Sequence, residues 1–125
     1  MKVYLCGPIR DCTDDECITW RKQARKTLGD VIDPMARDYR GQEEEKEVTK
    51  EIVELDKMDI DNSEALLVNY FKPSTGTAME ILYAWERNKP IIVVAPKKEV
   101  KNNPWLKYHS THIVETFKEA FRLLK

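Results

Sequence analysis

A basic excess is the first thing this sequence lacks. Lys and Arg number 21 against 22 Asp and Glu, leaving a net charge of −1 over 125 residues, too balanced for a general attraction to nucleic acid polymers or an anionic membrane surface. Long apolar runs are missing as well. No stretch approaches the roughly 20 apolar residues of a membrane-spanning helix, and Met1-Lys-Val-Tyr-Leu-Cys-Gly-Pro8 breaks too early to read as a secretory leader. Both absences point to a cytoplasmic protein. Histidine is scarce: His109 and His112 are the only two, and they share a face only if their segment is helical. Surface or dimer-contact histidines are the simpler reading, and neither a metal nor a cofactor is expected. The three cysteines, Cys6, Cys12 and Cys17, are odd in number and crowd the first strand and its exit. That pattern suits reduced thiols better than a disulfide framework.

What is present is an ordinary globular composition, 42% apolar and 34% charged. The length suits one domain, residues 1–125, with a single core. Lys2 to Cys6 reads as a buried strand ended by Gly7-Pro8, and Thr13 with Glu16 fits a capping box for a helix from about Asp14 to Leu28, with Ile18, Ala24 and Leu28 inward and Gly29 closing it. Val31 to Asp33 is a weak strand stopped by Pro34. Met35 to Gln42 has no periodicity and reads as a loop. From Glu43 a helix is expected, its apolar stripe carrying Val48, Ile52, Leu55 and Met58 and its acidic first turn complementing the dipole. Ala65 to Val68 is a third strand, Thr77 to Asn88 a helix, and Ile91 to Ala95 an unalternated β-branched run of the kind covered by helices on both faces. Pro96 to Trp105 reads as a charged loop, His112 to Val114 as a last strand, and Glu115 to Lys125 as an amphipathic helix with Phe117, Phe121 and Leu124 inward.

Strands alternating with helices predict an α/β fold of three layers, Rossmann-like and of the flavodoxin type, with a parallel sheet of about five strands. Ligands of such sheets bind outside the carboxyl ends of the strands. The segments Cys6 to Arg10, Asn69 to Thr77 and Ala95 to Trp105 all follow strands and so share that edge.

The richest of them is Asn69-Tyr-Phe-Lys-Pro-Ser-Thr-Gly-Thr-Ala-Met-Glu80. A turn of hydroxyl and glycine residues opens a helix, whose free backbone N–H groups suit an anion or a sugar. Glu80 falls in the opening turn, where the dipole favours its charged form; as a base or nucleophile it has a task, and otherwise it merely complements the dipole. The first-strand exit, Tyr4 through Gly7, Ile9 and Arg10, brings a phenol and a guanidinium to the same edge, with Gly7 allowing close approach to the backbone. Asp56 lies beside Leu55 near the apolar face of its helix, where an unpaired carboxylate costs on the order of a few kcal/mol. It is either partnered there or at the helix boundary facing solvent; Asp59 and Asp61 read as solvated residues or caps. Two carboxylates, a tyrosine and a hydroxyl-rich turn fit glycosyl chemistry through an oxocarbenium-like state.

Taken together, Tyr4-Leu-Cys-Gly-Pro-Ile-Arg10, Asp56 and Pro73-Ser-Thr-Gly-Thr-Ala-Met-Glu80 resemble the nucleoside 2-deoxyribosyltransferase family, including its branch of 2'-deoxynucleoside 5'-monophosphate N-hydrolases. The resemblance implies that Glu80 attacks C1' of the sugar to form a glycosyl-enzyme intermediate. It implies that Tyr4 orients Glu80 and that Asp56 assists at the base or sugar. Ser74 stands where transferases acting on free nucleosides tend to carry an acidic residue, and a serine beside the Gly76 turn accepts a phosphate that an aspartate would repel. Arg10 matches an arginine near the phosphate in the hydrolase branch. Pro8 departs from that branch, which often has serine there. The resemblance also implies a homodimer or larger homo-oligomer whose sites are completed from a neighbouring subunit, with Asn103 the best match and Asn102 or Ser110 as substitutes.

The expected activity is cleavage of the N-glycosidic bond of a nucleoside 5'-monophosphate, with water or a second base accepting the sugar. Base exchange on an unphosphorylated nucleoside is the alternative, and a non-catalytic nucleotide-binding module is the alternative of another class. An interaction surface built on Trp85, Trp105, Tyr83 and Tyr108 is a further reading, against their packing in the core or at a homodimer contact. Trp20, Met35 and Tyr39 are candidates for packing the base, with a core role favoured for Trp20.

Overall fold

The computed structural model describes residues 1–125. Five strands form one parallel sheet in the order β2-β1-β3-β4-β5: β1 (Val3–Cys6), β2 (Val31–Ile32), β3 (Ala65–Asn69), β4 (Ile91–Val94) and β5 (His112–Val114). This is the flavodoxin-type order, and its switch point lies between β1 and β3. Six helices cover the sheet: α1 (Trp20–Leu28), α2 (Lys46–Asp61), α3 (Thr75–Glu86), α4 (Lys98–Lys101), α5 (Pro104–His109) and α6 (Phe117–Leu124).

The pleat sorts the apolar strand residues onto two faces. Val3, Leu5, Leu67, Ile92 and Val94 pack with Trp20 and Ala24 of α1 and Phe121 of α6. Tyr4, Cys6, Leu66, Val68, Ile91 and Val93 pack on the other face with Ile60 of α2, Ile81 of α3 and Leu106 of α5. Tyr4 therefore projects toward the layer that carries Asp56 and Glu80. Its place there follows from strand parity alone.

Several boundaries differ from expectation. The capping box forms, with the Thr13 N–H on Glu16 Oε1 at 2.9 Å and the Glu16 N–H on Thr13 Oγ1 at 3.2 Å. It opens a π-helical turn, Asp15–Thr19, before α1. Gly29 closes α1 at φ 82°, its N–H on the Arg25 carbonyl. Helix α2 starts at Lys46 rather than Glu43, because residues 43–45 are taken up in a turn where Glu43 accepts the Gly41 N–H at 2.7 Å. Met58 is half exposed and leaves the expected stripe, while Ile60 is the buried anchor. The segment read as a loop from Pro96 to Trp105 holds α4 and the start of α5. Asn103 caps α5 by accepting from the N–H groups of Trp105 and Leu106 at 2.9 and 3.2 Å, and Pro104 takes the first helical position, where no N–H is needed.

No helix is long and apolar enough to cross a membrane. All three cysteines are free and buried. His109 ends α5 and His112 begins β5, so they do not share a helix face. Trp85, Trp105 and Tyr108 do not pack the core: they are 39%, 75% and 70% exposed and cluster with His109.

Candidate active site

Outside the carboxyl ends of β1 and β3, at the switch point, lies a cavity of about 430 Å³. Its wall includes Gly7, Ile9 and Arg10 from the β1 exit, Asp56 from α2, and Ser74, Gly76 and Glu80 from the start of α3. Seven of the nine residues singled out in the sequence thus line one cavity. Tyr4 sits beneath it, fully buried, and donates its hydroxyl to Glu80. Asn103 is the exception: it lines a separate apolar cavity between α3 and α5, and its side-chain oxygen is occupied as a helix cap.

Glu80 is partly exposed in the cavity wall and lies in the second turn of α3, not the opening turn expected, because the helix starts two residues early; the dipole does not hold it in its charged form. Burial of its carboxyl, followed by the negative charge of Asp56, pushes it up to about 7, opposed by the hydrogen bond from Tyr4. Asp56 is raised to about 6, first by burial, with Arg37 acting against the rise. The expected partner of Asp56 exists: Arg37 Nη2 lies 3.3 Å from its Oδ1 and 2.6 Å from Asp59 Oδ2. Asp59 is accordingly no solvated cap; its side chain is 19% exposed and ion-paired. Asp61 is bound by Tyr83 and Arg87. Burial and the neighbouring Glu80 charge together hold the Tyr4 phenol well above its usual range, so it stays a donor.

Helix α3 begins at Thr75, two residues before the expected start, because Ser74 in extended conformation is its N-cap, accepting from the Thr77 N–H at 3.3 Å and the Thr77 hydroxyl at 2.9 Å. The N–H groups of Thr75 and Gly76, at the first two helical positions, have no intrahelical partner. A Cβ built on Gly76 would meet nothing within 4 Å, so a ligand reaches this backbone freely. Gly7 lines the cavity and is also tightly packed from behind: a Cβ there would lie 3.1 Å from both the Asn69 carbonyl and Trp20 Cζ2, so a larger residue would require one of them to shift. Arg10 is 61% exposed and engaged by Glu44 at 3.0 Å and Asp11 at 3.9 Å.

Three further residues shape the site without having been picked out. Arg21, 1% exposed, donates to the carbonyls of Leu5 and Gly7 at 2.6 and 3.1 Å and to Asp33 at 3.2 Å, fixing the β1 exit from below. Its signal was available: it falls on the same helical face as Cys17 and Ala24. Arg37 and Lys72 also line the cavity, and their loops carry no periodicity that would mark them. Of the base-packing candidates, Tyr39 lines the cavity, Met35 does not, and Trp20 is core, stacked on Phe117 at 5.6 Å.

A largely shielded carboxylate pair, Asp56 and Glu80, stands over the buried Tyr4 at the switch point of a flavodoxin-type sheet and beside an open helix N-terminus, an arrangement that suits glycosyl transfer. The chain belongs to the nucleoside 2-deoxyribosyltransferase family, whose profile matches residues 3–124. No curated protein matches the chain. Among solved structures, a 2-deoxyribosyltransferase from Bacillus psychrosaccharolyticus superposes with a TM-score of 0.79 at 18% identity, covering 97% of this chain and 90% of that one. A 2-deoxyribosyltransferase from Leishmania mexicana gives 0.72 at 19% identity, over 98% and 95%. A CMP N-glycosidase from Clostridium botulinum gives 0.66 at 18% identity, over 99% and 97%. At these identities the likeness is one of fold.

Proposed function

We propose that the protein cleaves the N-glycosidic bond of a nucleoside 5'-monophosphate, releasing the base and a sugar phosphate. The observation that carries this is the Tyr4–Glu80 hydrogen bond in a cavity that also presents Asp56 and the open N-terminus of α3. Glu80 attacks C1' as the carboxylate, the C1'–N bond breaks with its electron pair leaving on the base, and Asp56 supplies the proton the base requires; the two carboxyls titrate close together, and the reactive form carries their shared proton on Asp56, with the Tyr4 donor favouring ionised Glu80. Water then gives a proton to the Asp56 carboxylate and attacks C1' of the glycosyl-Glu80 ester; the C1'–O bond to Glu80 breaks, which restores the Glu80 carboxylate and the Asp56 acid. Ser74 and the N–H groups of Thr75 and Gly76 seat the 5'-phosphate. Tyr39 is the residue for packing the base.

A second reading, base exchange on an unphosphorylated nucleoside, is favoured by Arg10, whose guanidinium is engaged by Glu44 and Asp11 rather than free for a phosphate, and by Pro8, which offers no donor. In either reading the chain acts as a homodimer or larger homo-oligomer, with Asn103 of one subunit completing the site of the next.

A panel of ribo- and deoxynucleosides and their 5'-monophosphates, each with and without an acceptor base, separates the two. Free base and sugar phosphate from a monophosphate, with at least about a 10³-fold loss in Glu80→Gln, is expected. Faster turnover of the unphosphorylated nucleoside, dependent on acceptor, selects the exchange reaction. No release from any compound removes both.

A further inference from the structure

We propose that Asp59, one turn beyond Asp56 on α2, is a positioning residue: it holds the Arg37 guanidinium away from full pairing with Asp56, leaving Asp56 free to exchange a proton during the reaction. This rests on the reading of Asp56 as the second acidic group of the site.

Asp56 and Asp59 stand three residues apart and so share a helix face. Both reach the same nitrogen of Arg37, Nη2, and Asp59 holds it more closely, at 2.6 Å against 3.3 Å. The two-nitrogen fork that makes an arginine–carboxylate pair strong is therefore not formed with Asp56. The Arg37 Nε is buried with no partner at all, so the guanidinium is aimed by Asp59 and not by its own hydrogen-bonding demand. All three side chains are largely shielded, at 29% exposure for Arg37, 21% for Asp56 and 19% for Asp59, and their mutual charges act with little screening.

The groups that act on Asp56 come from every element around it. Tyr4 and Cys6 of β1 and Glu80 of α3 feel its charge. Tyr39 lies in the segment before α2, Arg21 on α1, and Arg37 and Asp59 complete the set. Only Arg21 and Arg37 are cationic, and the two Nη groups of Arg21 are bound to Leu5, Gly7 and Asp33, with none of its nitrogens on Asp56. Arg37 is thus the one cation hydrogen-bonded to Asp56. Were it wholly committed there, Asp56 would be fixed as a carboxylate with no proton for a leaving base. Asp59 prevents this twice over, by drawing Arg37 off and by adding a negative charge beside Asp56.

Both effects have one sign, which gives the test its direction. The Asp56 carboxyl is titrated by carbon NMR in the free protein for the wild type, Asp59→Asn and Arg37→Gln, alongside kcat/KM against pH for the nucleotide turned over. Asp59→Asn lowers the Asp56 midpoint by about one pH unit, and Arg37→Gln raises it. The limb of the profile that follows Asp56 moves with the midpoint, and Asp59→Glu restores it. A midpoint that stays put or rises in Asp59→Asn overturns the proposal. The titration needs no turnover, so an inactive wild type would sink the functional reading while leaving this one to be decided by the midpoints.

Discussion

At the scale of the single residue, Glu80 faces two opposing demands. In its proposed role as nucleophile it must be ionised, yet burial and the charge of Asp56 push its carboxyl up to about 7. The hydrogen bond from Tyr4 opposes that rise, because a donor to a carboxylate favours the charged form. Removing the donor in Tyr4→Phe therefore moves the acid limb of kcat/KM to higher pH. The loss is larger at pH 6 than at pH 8, and at the optimum it is about 10- to 100-fold, as expected for a hydrogen bond to a charged group. A pH profile of the variant against wild type checks this; a uniform loss with the limb unmoved would mean that Tyr4 fills space and does not tune Glu80. Residues of this kind were legible because strand parity and the position of Glu80 after the turn set them apart. Arg37 was not, since a side chain reaching Asp56 from an aperiodic loop leaves no mark on sequence spacing.

At the scale of the element, α3 carries Ser74 as its N-cap, the open N–H groups in its first turn and Glu80 in its second. Ser74 has two tasks there: its hydroxyl caps the helix, and in the proposed function it meets the phosphate. The tasks separate in Ser74→Asp. Aspartate caps helices as well as serine does, so thermal stability is held to within about 1 kcal/mol, while its charge repels a 5'-phosphate. The ratio of nucleotide to nucleoside turnover should fall by about tenfold or more for one lost or repelled charged contact. An unchanged ratio would remove Ser74 from the phosphate seat. The longer elements were readable because burial on both faces of β1, β3 and β4 imposes continuous apolar runs. Helices α4 and α5 were missed because four and six residues are too few to show a period. Asn103-Pro104 is a start signal for α5, whereas the Lys97 cap of α4 makes no side-chain hydrogen bond.

At the scale of the whole molecule, an exposed aromatic patch bears on the proposal that sites are completed across subunits. Met79, Leu82 and Trp85 of α3 and Trp105 and Tyr108 of α5 are exposed by 67%, 41%, 39%, 75% and 70%. They flank the apolar cavity of about 530 Å³ that Asn103 helps to line. Aromatic and methionine side chains in one patch, with few charges, have the composition of an interface core. The patch is also tied to the candidate site: Pro73 lines both cavities, and Met79 precedes Glu80 on α3. A second copy seated on α3 and α5 would cover the patch, and the proposed completion of the site by Asn103 requires that it do so with its α5 start beside the first copy's cavity. Sedimentation of the wild type at micromolar concentration should then show a dimer. Trp105→Glu, which places a charge at the most exposed aromatic, should shift the protein to monomer and lower turnover in parallel, with activity returning as protein concentration is raised. A wild type that sediments as a monomer while turning over at full rate would show that each chain closes its own site, and Asn103 would keep only its role as the cap of α5.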